Sequence, residues 1–243
     1  VGVMWSLEGA LTDQNRDLHV FGVRQSPSVA GCDLLHYRLD QNNNWILTNV
    51  SSAVSGSIGQ INFYWGGITP YLDPFNTLHL FGTPYESHHL IHFYFERGVN
   101  AWRADNISLN QVNEAPAIEG KPFIIRTPFS ATPNDITTYF PTLHIFGVKP
   151  GSGELVHYYQ FSSGDWHAEV VSPAGFPSVR LSKIFAAFED PRQGFHIVAN
   201  NEYGGGFTYF HWQPLFGWNA EQITRTGFDT EFPDAAMSSN GEI

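Results

Sequence analysis

One short pattern returns four times along the chain, and this repetition constrains the fold more than any other feature. It reads L-H-V-F-G-V at 18–23, L-H-L-F-G-T at 78–83, L-H-I-F-G-V at 143–148 and F-H-I-V-A-N at 195–200. Each copy is rich in β-branched and aromatic residues, which predicts a strand, and each has a histidine in second position. A chain that repeats one strand in this way is built from a recurrent structural unit.

Each copy is followed by a second apolar strand and then by a strand that begins with tryptophan. The second strands lie at 34–39, 90–95, 155–160 and 209–213, and the tryptophan strands at 45–51, 102–108, 166–172 and 218–224. A further apolar segment precedes each set, at 1–6, 61–66, 123–127 and 184–188. Four strands per unit, with a period of roughly 50 to 65 residues, predict an all-β fold: a β-propeller of four-stranded antiparallel blades, four of which are evident in the sequence.

The chain of 243 residues is long enough for a single propeller domain over 1–243. The predicted blades span approximately 1–51, 57–108, 116–172 and 180–224, and 225–243 is interpreted as a tail that closes the ring. The alternative, in which the chain stops inside a fifth blade, stays open. No segment of ten or more residues has an apolar stripe with helical spacing.

The charge balance restricts the partners. The 23 acidic and 12 basic residues give a formal net charge of −11, which repels a phosphate backbone, so nucleic acid is not expected as a partner. No apolar run reaches the roughly 18 residues of a membrane-spanning helix, so we expect a soluble protein without membrane insertion, secreted or cytoplasmic. No signal peptide is recognised, a single cysteine, Cys32, excludes an internal disulfide, and association into homo-oligomers stays open.

The order of strands resembles that of the β-propeller lectins, which include the fungal fucose-binding propellers and the bacterial tryptophan-rich propeller lectins. The likeness spans 1–225 and lies in a V-F-G-like strand, an L-x-H-aromatic strand and then a tryptophan. The tryptophan-rich lectins are the closer match, because their leucine-x-histidine is similar to 34–36, 90–92 and 155–157. In the fucose-binding propellers an arginine and a glutamate hold the sugar; only Arg38 corresponds to the arginine, no glutamate recurs with it, and fucose specificity is therefore not implied.

The resemblance implies carbohydrate binding at several equivalent sites between blades, with glycans as partners and no cofactor. A pyranose ring packs its C–H face on an aromatic side chain, whereas its hydroxyl groups need fixed polar partners. The candidate sugar-binding residues are Trp45, Trp102, Trp166, Trp218, Tyr37, Arg38, Tyr94, Tyr158, Trp212, His36, His92, His157 and His211. The alternative for the recurrent tryptophans is packing between blades.

The histidines pair by blade, on strands expected to be adjacent. The pairs are His19 with His36, His79 with His92, His144 with His157, and His196 with His211. Because a structural metal site needs about four ligands and we find no carboxylate or thiol that recurs beside these pairs, no metal is predicted. A ligand role stays open, and we interpret the histidines first as part of the blade template, hydrogen-bonded between blades.

Two other functions are kept as alternatives. A glycan-cleaving enzyme would place carboxylates around the central channel, for which Glu8, Glu119, Glu189 and Asp190 are available; a protein-interaction scaffold would expose a broad apolar face. No catalytic motif supports an enzyme, and no catalytic residue is predicted. Two sequons, at 49–51 and 106–108, occupy equivalent positions of the first two units.

Overall fold

The structure, a computed structural model, describes most of the chain between Ser6 and Ile223. The described residues are 6–25, 32–58, 63–84, 87–109, 115–126, 143–161, 164–171, 173, 176, 179–190, 194–202, 206–213 and 216–223. The predicted ring-closing tail at 225–243 lies outside them, as does most of the first apolar segment. The chain divides into two compact units, Val1–Pro122 and Phe123–Ile243, which are described separately.

Unit 1 contains two four-stranded antiparallel sheets, the first two predicted blades. Blade 1 consists of β1 Ser6–Thr12, β2 Leu18–Gln25, β3 Cys32–Leu39 and β4 Trp45–Asn49, in that spatial order. Blade 2 consists of β5 Phe63–Leu72, β6 Leu78–Pro84, β7 Ile91–Glu96 and β8 Ala101–Asn106. Within each blade, consecutive strands pair in antiparallel fashion, as the short turns between them require.

Unit 2 has the same organisation. Its first strand, β9, starts before the boundary between the two units and ends after it. Blade 3 consists of β9 Glu119–Ile125, β10 Leu143–Val148, β11 Leu155–Gln160 and β12 Trp166–Val170. Blade 4 consists of β13 Leu181–Glu189, β14 Phe195–Asn201, β15 Phe207–Gln213 and β16 Gly217–Ile223. The four blades predicted from the repeats are therefore present among the described residues, each with the predicted strand order.

One helix was not predicted. Helix α1, Val50–Ile58, begins where the first tryptophan strand was expected to continue to residue 51. The side chain of Asn49 accepts the N–H of Ser52 over 3.0 Å, which is the hydrogen bond of a helix N-cap. Val50 and Val54, one turn apart, are both buried in the core of unit 1. With nine residues, α1 was too short for the sequence pattern to stand out.

The core of each unit lies between its two blades. In unit 1 it joins Phe21 and Leu34 of blade 1 to Leu80, Phe93 and Trp102 of blade 2. In unit 2 it joins Phe146 and Leu155 of blade 3 to Phe195, Ile197 and Phe210 of blade 4. Consecutive residues of the middle strands, such as Leu34 and Leu35 of β3, are both buried. This explains why these strands lack a clean alternation of apolar and polar residues. No helix in the described part of the chain is long and apolar enough to cross a membrane.

Candidate functional site

The paired histidines hydrogen-bond to each other within a blade. Nδ1 of His19 lies 2.8 Å from Nε2 of His36, and the same contact, at the same distance, joins His79 to His92 and His144 to His157. The two residues of each pair are diagonal neighbours on adjacent strands, since His19 lies opposite Arg38 in the register. The hydrogen bonds within these three pairs thus lie inside one blade, and not between blades as expected. His36 and His157 contact a tryptophan of the neighbouring blade through their rings.

The fourth pair differs from the prediction. His196 lies directly opposite His211, but its Nδ1 contacts the hydroxyl of Tyr209 at 2.5 Å. The register shows why: Tyr209 occupies the position that His36 has in blade 1, and His211 occupies that of Arg38. Matching the histidine letters shifted the predicted alignment of this strand by two residues.

A carboxylate does recur beside the histidines, contrary to the expectation from the sequence. Oδ2 of Asp13, Asp73 and Asp190 lies 3.8, 3.4 and 3.1 Å from Nε2 of the motif histidine of blades 1, 2 and 4. Each aspartate stands six residues before its histidine, at the start of a tight turn between the first two strands. This fixed spacing of six residues is a signal that the sequence contains. Among the described residues, no group of three or more histidine, cysteine, aspartate or glutamate side chains could hold a metal ion.

Burial keeps the inner histidines neutral. Burial, followed by the charges of His19 and Arg38, lowers the pKa of His36 to about 3. Burial, followed by the charge of His79, lowers the pKa of His92 to about 3 as well. Near neutral pH each of these imidazoles therefore has one N–H to donate and one nitrogen to accept a hydrogen bond.

Within each unit, a tryptophan of the second blade packs edge-on against the inner histidine of the first. In unit 1 the rings of Trp102 and His36 have centroids 5.5 Å apart and an interplanar angle of 84°. In unit 2 the rings of Trp218 and His157 have centroids 5.7 Å apart and an angle of 77°. The histidine in turn stacks on a phenylalanine of its own blade, Phe21 or Phe146. These tryptophans hold two blades together, as the packing alternative predicts.

In unit 1 the same contact forms the inner end of a cavity of about 490 Å³ between blades 1 and 2. The lining residues are Asp13, Asn15, Asp17, His19, His36, Arg38, Ile46, Thr48, Ala53, Leu72, Asn76, Leu78, Phe95, Arg97, Asn100, Ala101 and Trp102. The volume falls within the range of about 300 to 1,000 Å³ that is usual for small-molecule sites. Aromatic, amide and charged side chains thus converge on a space that suits a small polar ligand.

The charges in this cavity balance. Arg97 lies 3.6 Å from the carboxylate of Asp13, and Arg38 lies 4.0 Å from that of Asp17. The side chain of Asp13 is 5% exposed, and its desolvation is offset by Arg97 and by hydrogen bonds from the backbone N–H groups of Asn15 and Asp17. Because two cations face two anions at distances longer than a close salt bridge, the guanidinium groups retain donors for a neutral ligand.

In unit 2 an acidic side chain bridges the corresponding histidine and tryptophan. Oε1 of Glu169 lies 3.0 Å from Nδ1 of His157 and accepts the indole N–H of Trp218, also over 3.0 Å. The hydrogen bond from His157, followed by that from Trp218, lowers the pKa of Glu169. In blade 1 the residue opposite His36 is Thr48, whereas Glu169 is opposite His157. The shorter threonine cannot bridge the two rings, and the buried N–H of Trp102 has no hydrogen-bond acceptor among the described residues.

Three of the predicted sugar-binding residues, His36, Arg38 and Trp102, therefore line one cavity. His157 and Trp218 are brought together in unit 2, where Glu169 joins them. Tyr158 has no exposed surface and serves the core. The remaining candidates are apart from the cavity: Trp45 is 56% exposed on β4 with its ring edge towards Tyr37, Tyr94 lies beside His92, Trp166 is half-buried on β12, Trp212 stacks on Phe195, and His211 stacks on Tyr209.

Sequence reasoning missed most of the polar lining. Asp13, Asn76 and Asn100 come from turns, and Arg97 follows directly after β7, where no blade pattern identifies a ligand. One signal was available, because the third residue after each blade tryptophan is Thr48, Asp105, Glu169 or Glu221. That position lies opposite the inner histidine, or opposite the tyrosine that replaces it, in every blade.

The blades and the cavity define a β-propeller protein with a ligand-sized space between blades. No protein-family profile matches the chain, and no curated protein sequence matches it. The fold is similar to that of a lectin from Aleuria aurantia, solved with Fucα1-6GlcNAc, at 14% identity and a TM-score of 0.55, over 89% of this chain and 60% of that one. It is also similar to an exo-β-1,3-galactanase from Phanerochaete chrysosporium, at 11% identity and a TM-score of 0.51, over 91% of this chain and 53% of that one.

At these identities the likeness concerns the fold alone. It confirms the predicted class, a β-propeller of four-stranded antiparallel blades like that of propeller lectins. The chain spans 60% and 53% of the lengths of these two neighbours. The same fold thus serves a sugar-binding protein and a sugar-cleaving enzyme, so function has to be argued from the site.

Proposed function

We propose that the protein is a lectin that binds a neutral sugar ring in the cavity between blades 1 and 2. The observation that carries the proposal is the composition of the cavity: paired aspartates and arginines with three asparagines beside the aromatic rings of Trp102 and Phe95. A sugar offers an apolar C–H face for the rings and several hydroxyl groups that both donate and accept hydrogen bonds. The balanced charges favour a neutral ligand over an anion or a cation.

The presence of Glu169 in unit 2 reduces the number of equivalent sugar sites that we propose. In unit 2 this side chain occupies the position next to Trp218 that Thr48 leaves open next to Trp102. We therefore propose one open site for the two blades of unit 1 and a closed counterpart in unit 2. Multivalent binding would then require further sites or association of protomers, and it stays a prediction.

A screen would identify which sugar binds. A glycan array that includes α-linked fucose and β-1,3-linked galactose, the sugars named for the two structural neighbours, identifies ligands, and calorimetry gives affinity and stoichiometry. Arg38→Ala should weaken binding about 10- to 100-fold, because it removes a charged hydrogen-bond donor from the cavity. Arg103→Ala is the matched control, since Arg103 is paired with Glu96 on blade 2 and does not line the cavity. Equal binding by both variants, or silence across the array, would contradict the proposal.

A second function, glycan cleavage, is favoured by one observation in unit 2. Burial, followed by the charge of Asp190, raises the pKa of Glu189 to about 6, a property of carboxyl groups that donate protons in glycoside hydrolysis. Asp190, however, accepts the N–H of Gly194 and contacts Nε2 of His196, so it is engaged in the hairpin turn. Release of reducing ends from β-1,3-galactan, lost in Glu189→Gln, would support the enzyme and displace the lectin as the main function.

A further inference from the structure

Two exposed apolar side chains, called the rim here, are sequence neighbours of residues that line the unit 1 cavity. Phe75 is 85% exposed, and Val99 is 55% exposed. Each directly precedes an asparagine that lines the cavity, Asn76 or Asn100. Both asparagines have positive φ angles, 65° and 53°, so each apolar residue stands at the tip of a tight turn beside the opening.

The turn that carries Phe75 is firmly held. The carboxylate of Asp73 accepts the N–H of Thr77 over 2.6 Å, and the backbone oxygen of Asp73 accepts the N–H of Asn76 over 2.9 Å. The side-chain oxygen of Asn76 accepts the N–H of Gln14 over 2.9 Å. These hydrogen bonds hold the backbone of the turn in place, so little backbone entropy is lost when a ligand packs on the ring of Phe75.

The two turns are also joined to each other. Nη2 of Arg97, from the turn that carries Val99, donates to the backbone oxygen of Asn76 and lies 3.6 Å from Asp13. The contact connects the β5–β6 turn to the β7–β8 turn through two residues that line the cavity. Exposed apolar side chains thus stand on two joined turns that also supply asparagines to the polar cavity.

We propose that Phe75 and Val99 form a second subsite, which packs against the sugar ring linked to the one held in the cavity. The inference rests on the proposed lectin function and names its ligand class: a glycan of at least two residues, with one ring inside and the next on the rim. An exposed phenylalanine ring offers a flat apolar face, which suits the C–H face of a pyranose. The polar cavity selects the first sugar, and the rim adds affinity for the linked one.

The test compares single sugars with linked ones. The probes are the methyl glycosides of glucose, galactose, mannose, N-acetylglucosamine, N-acetylgalactosamine and fucose, each with a set of disaccharides that have the same sugar at the non-reducing end. Calorimetry on the wild-type chain should show that the best disaccharide binds about two- to tenfold more tightly than its methyl glycoside. Phe75→Ala should remove this preference and leave the affinity for the methyl glycoside within about twofold.

Phe216→Ala provides the matched control, because Phe216 is 76% exposed on a turn of unit 2. It should retain the preference for the disaccharide. Loss of the preference in both variants, an equal effect of Phe75→Ala on both probe types, or equal affinities of the wild type for both types would overturn the second subsite while leaving the lectin function in place. Failure of every probe to bind would overturn both proposals.

Discussion

The indole N–H of Trp218 donates to Oε1 of Glu169 over 3.0 Å, whereas the equivalent indole of Trp102 has no such acceptor in the described part of the chain. The two tryptophans hold the same position in their units, and each packs edge-on against the inner histidine of the preceding blade. One residue of the outer strand, Thr48 or Glu169, accounts for the difference. Four predictions follow from this geometry and from the repeated template around it.

Thr48→Glu should close the cavity of unit 1. The introduced carboxylate would stand opposite His36, as Glu169 stands opposite His157, and would accept the N–H of Trp102. We expect sugar binding to fall at least about tenfold while the midpoint of thermal unfolding is kept or raised, because a buried donor gains its acceptor. Calorimetry and thermal melts measure the two effects. Thr48→Val, which adds no acceptor or length, is the control, and undiminished binding by a folded Thr48→Glu protein would contradict the assignment of the site.

Trp102→Ala should be far more destabilising than Trp45→Ala. Trp102 is 3% exposed between two blades, whereas Trp45 is 56% exposed on the outer strand of blade 1. Removal of a buried aromatic side chain costs about 3 to 5 kcal/mol, but an exposed substitution is usually within about 0.5 kcal/mol. Urea unfolding compares the free energies. Similar losses in the two variants would show that the tryptophans have equivalent packing roles.

The free energy of unfolding should fall as the pH is lowered from about 6.5 towards 3. The folded-state pKa values of His36 and His92 are about 3, against 6.5 for an ordinary histidine, so in this window the unfolded chain binds protons that the folded chain does not. The stabilisation is complete above pH 6.5 and is lost as the pH falls towards the folded-state values. Each histidine adds about 1.4 kcal/mol per pH unit to the slope.

Urea titrations at a series of pH values measure this slope, and His92→Gln should reduce it by the contribution of one histidine. A free energy of unfolding that is constant from pH 7 to pH 5 would mean that these imidazoles are not buried in their neutral form.

The serines of the two sequons should be structural. Oγ of Ser51 accepts the N–H of Leu34, and Oγ of Ser108 accepts the N–H of Leu90, each over 2.9 Å in a buried environment. Replacement by alanine leaves a buried backbone donor without its partner, which costs about 1 to 3 kcal/mol. We expect losses of this size for Ser51→Ala and Ser108→Ala by urea unfolding. Threonine at either position should restore most of the loss, and Ser52→Ala, at an exposed position, should have little effect.

The same contacts explain why the sequons recur. Asn49 and Asn106 each cap the segment that follows, since their side-chain oxygens accept the N–H of Ser52 and of Leu109. Asparagine and serine two residues apart are therefore needed by the end of the outer strand. A sequence motif for modification and a local structural motif coincide at these positions.

The repeat carries most of what could be predicted. Because each strand pairs with its sequence neighbour, the order of strands in a blade follows directly from the order along the chain. The four blades could therefore be counted from the sequence. The alignment of blade 4 was wrong because the letters of His196 and His211 match the other pairs, whereas hydrogen bonding selects Tyr209. Helix α1 was missed because nine residues with only two buried valines leave a weak pattern.

The sequence by itself determined the blade: its four strands, its motif histidine and its tryptophan, since local pairing and a strict repeat leave few other arrangements. Only the tertiary structure decided where a ligand could fit. The cavity combines Asp13, Arg38, Asn76 and Arg97, whose side chains come from different turns and strands of two blades, with the ring of Trp102. Such a site depends on how two sheets pack, and on whether one outer-strand side chain is long enough to fill the space between them. The width of that space is a property of two packed blades, so it cannot be derived from one repeat alone.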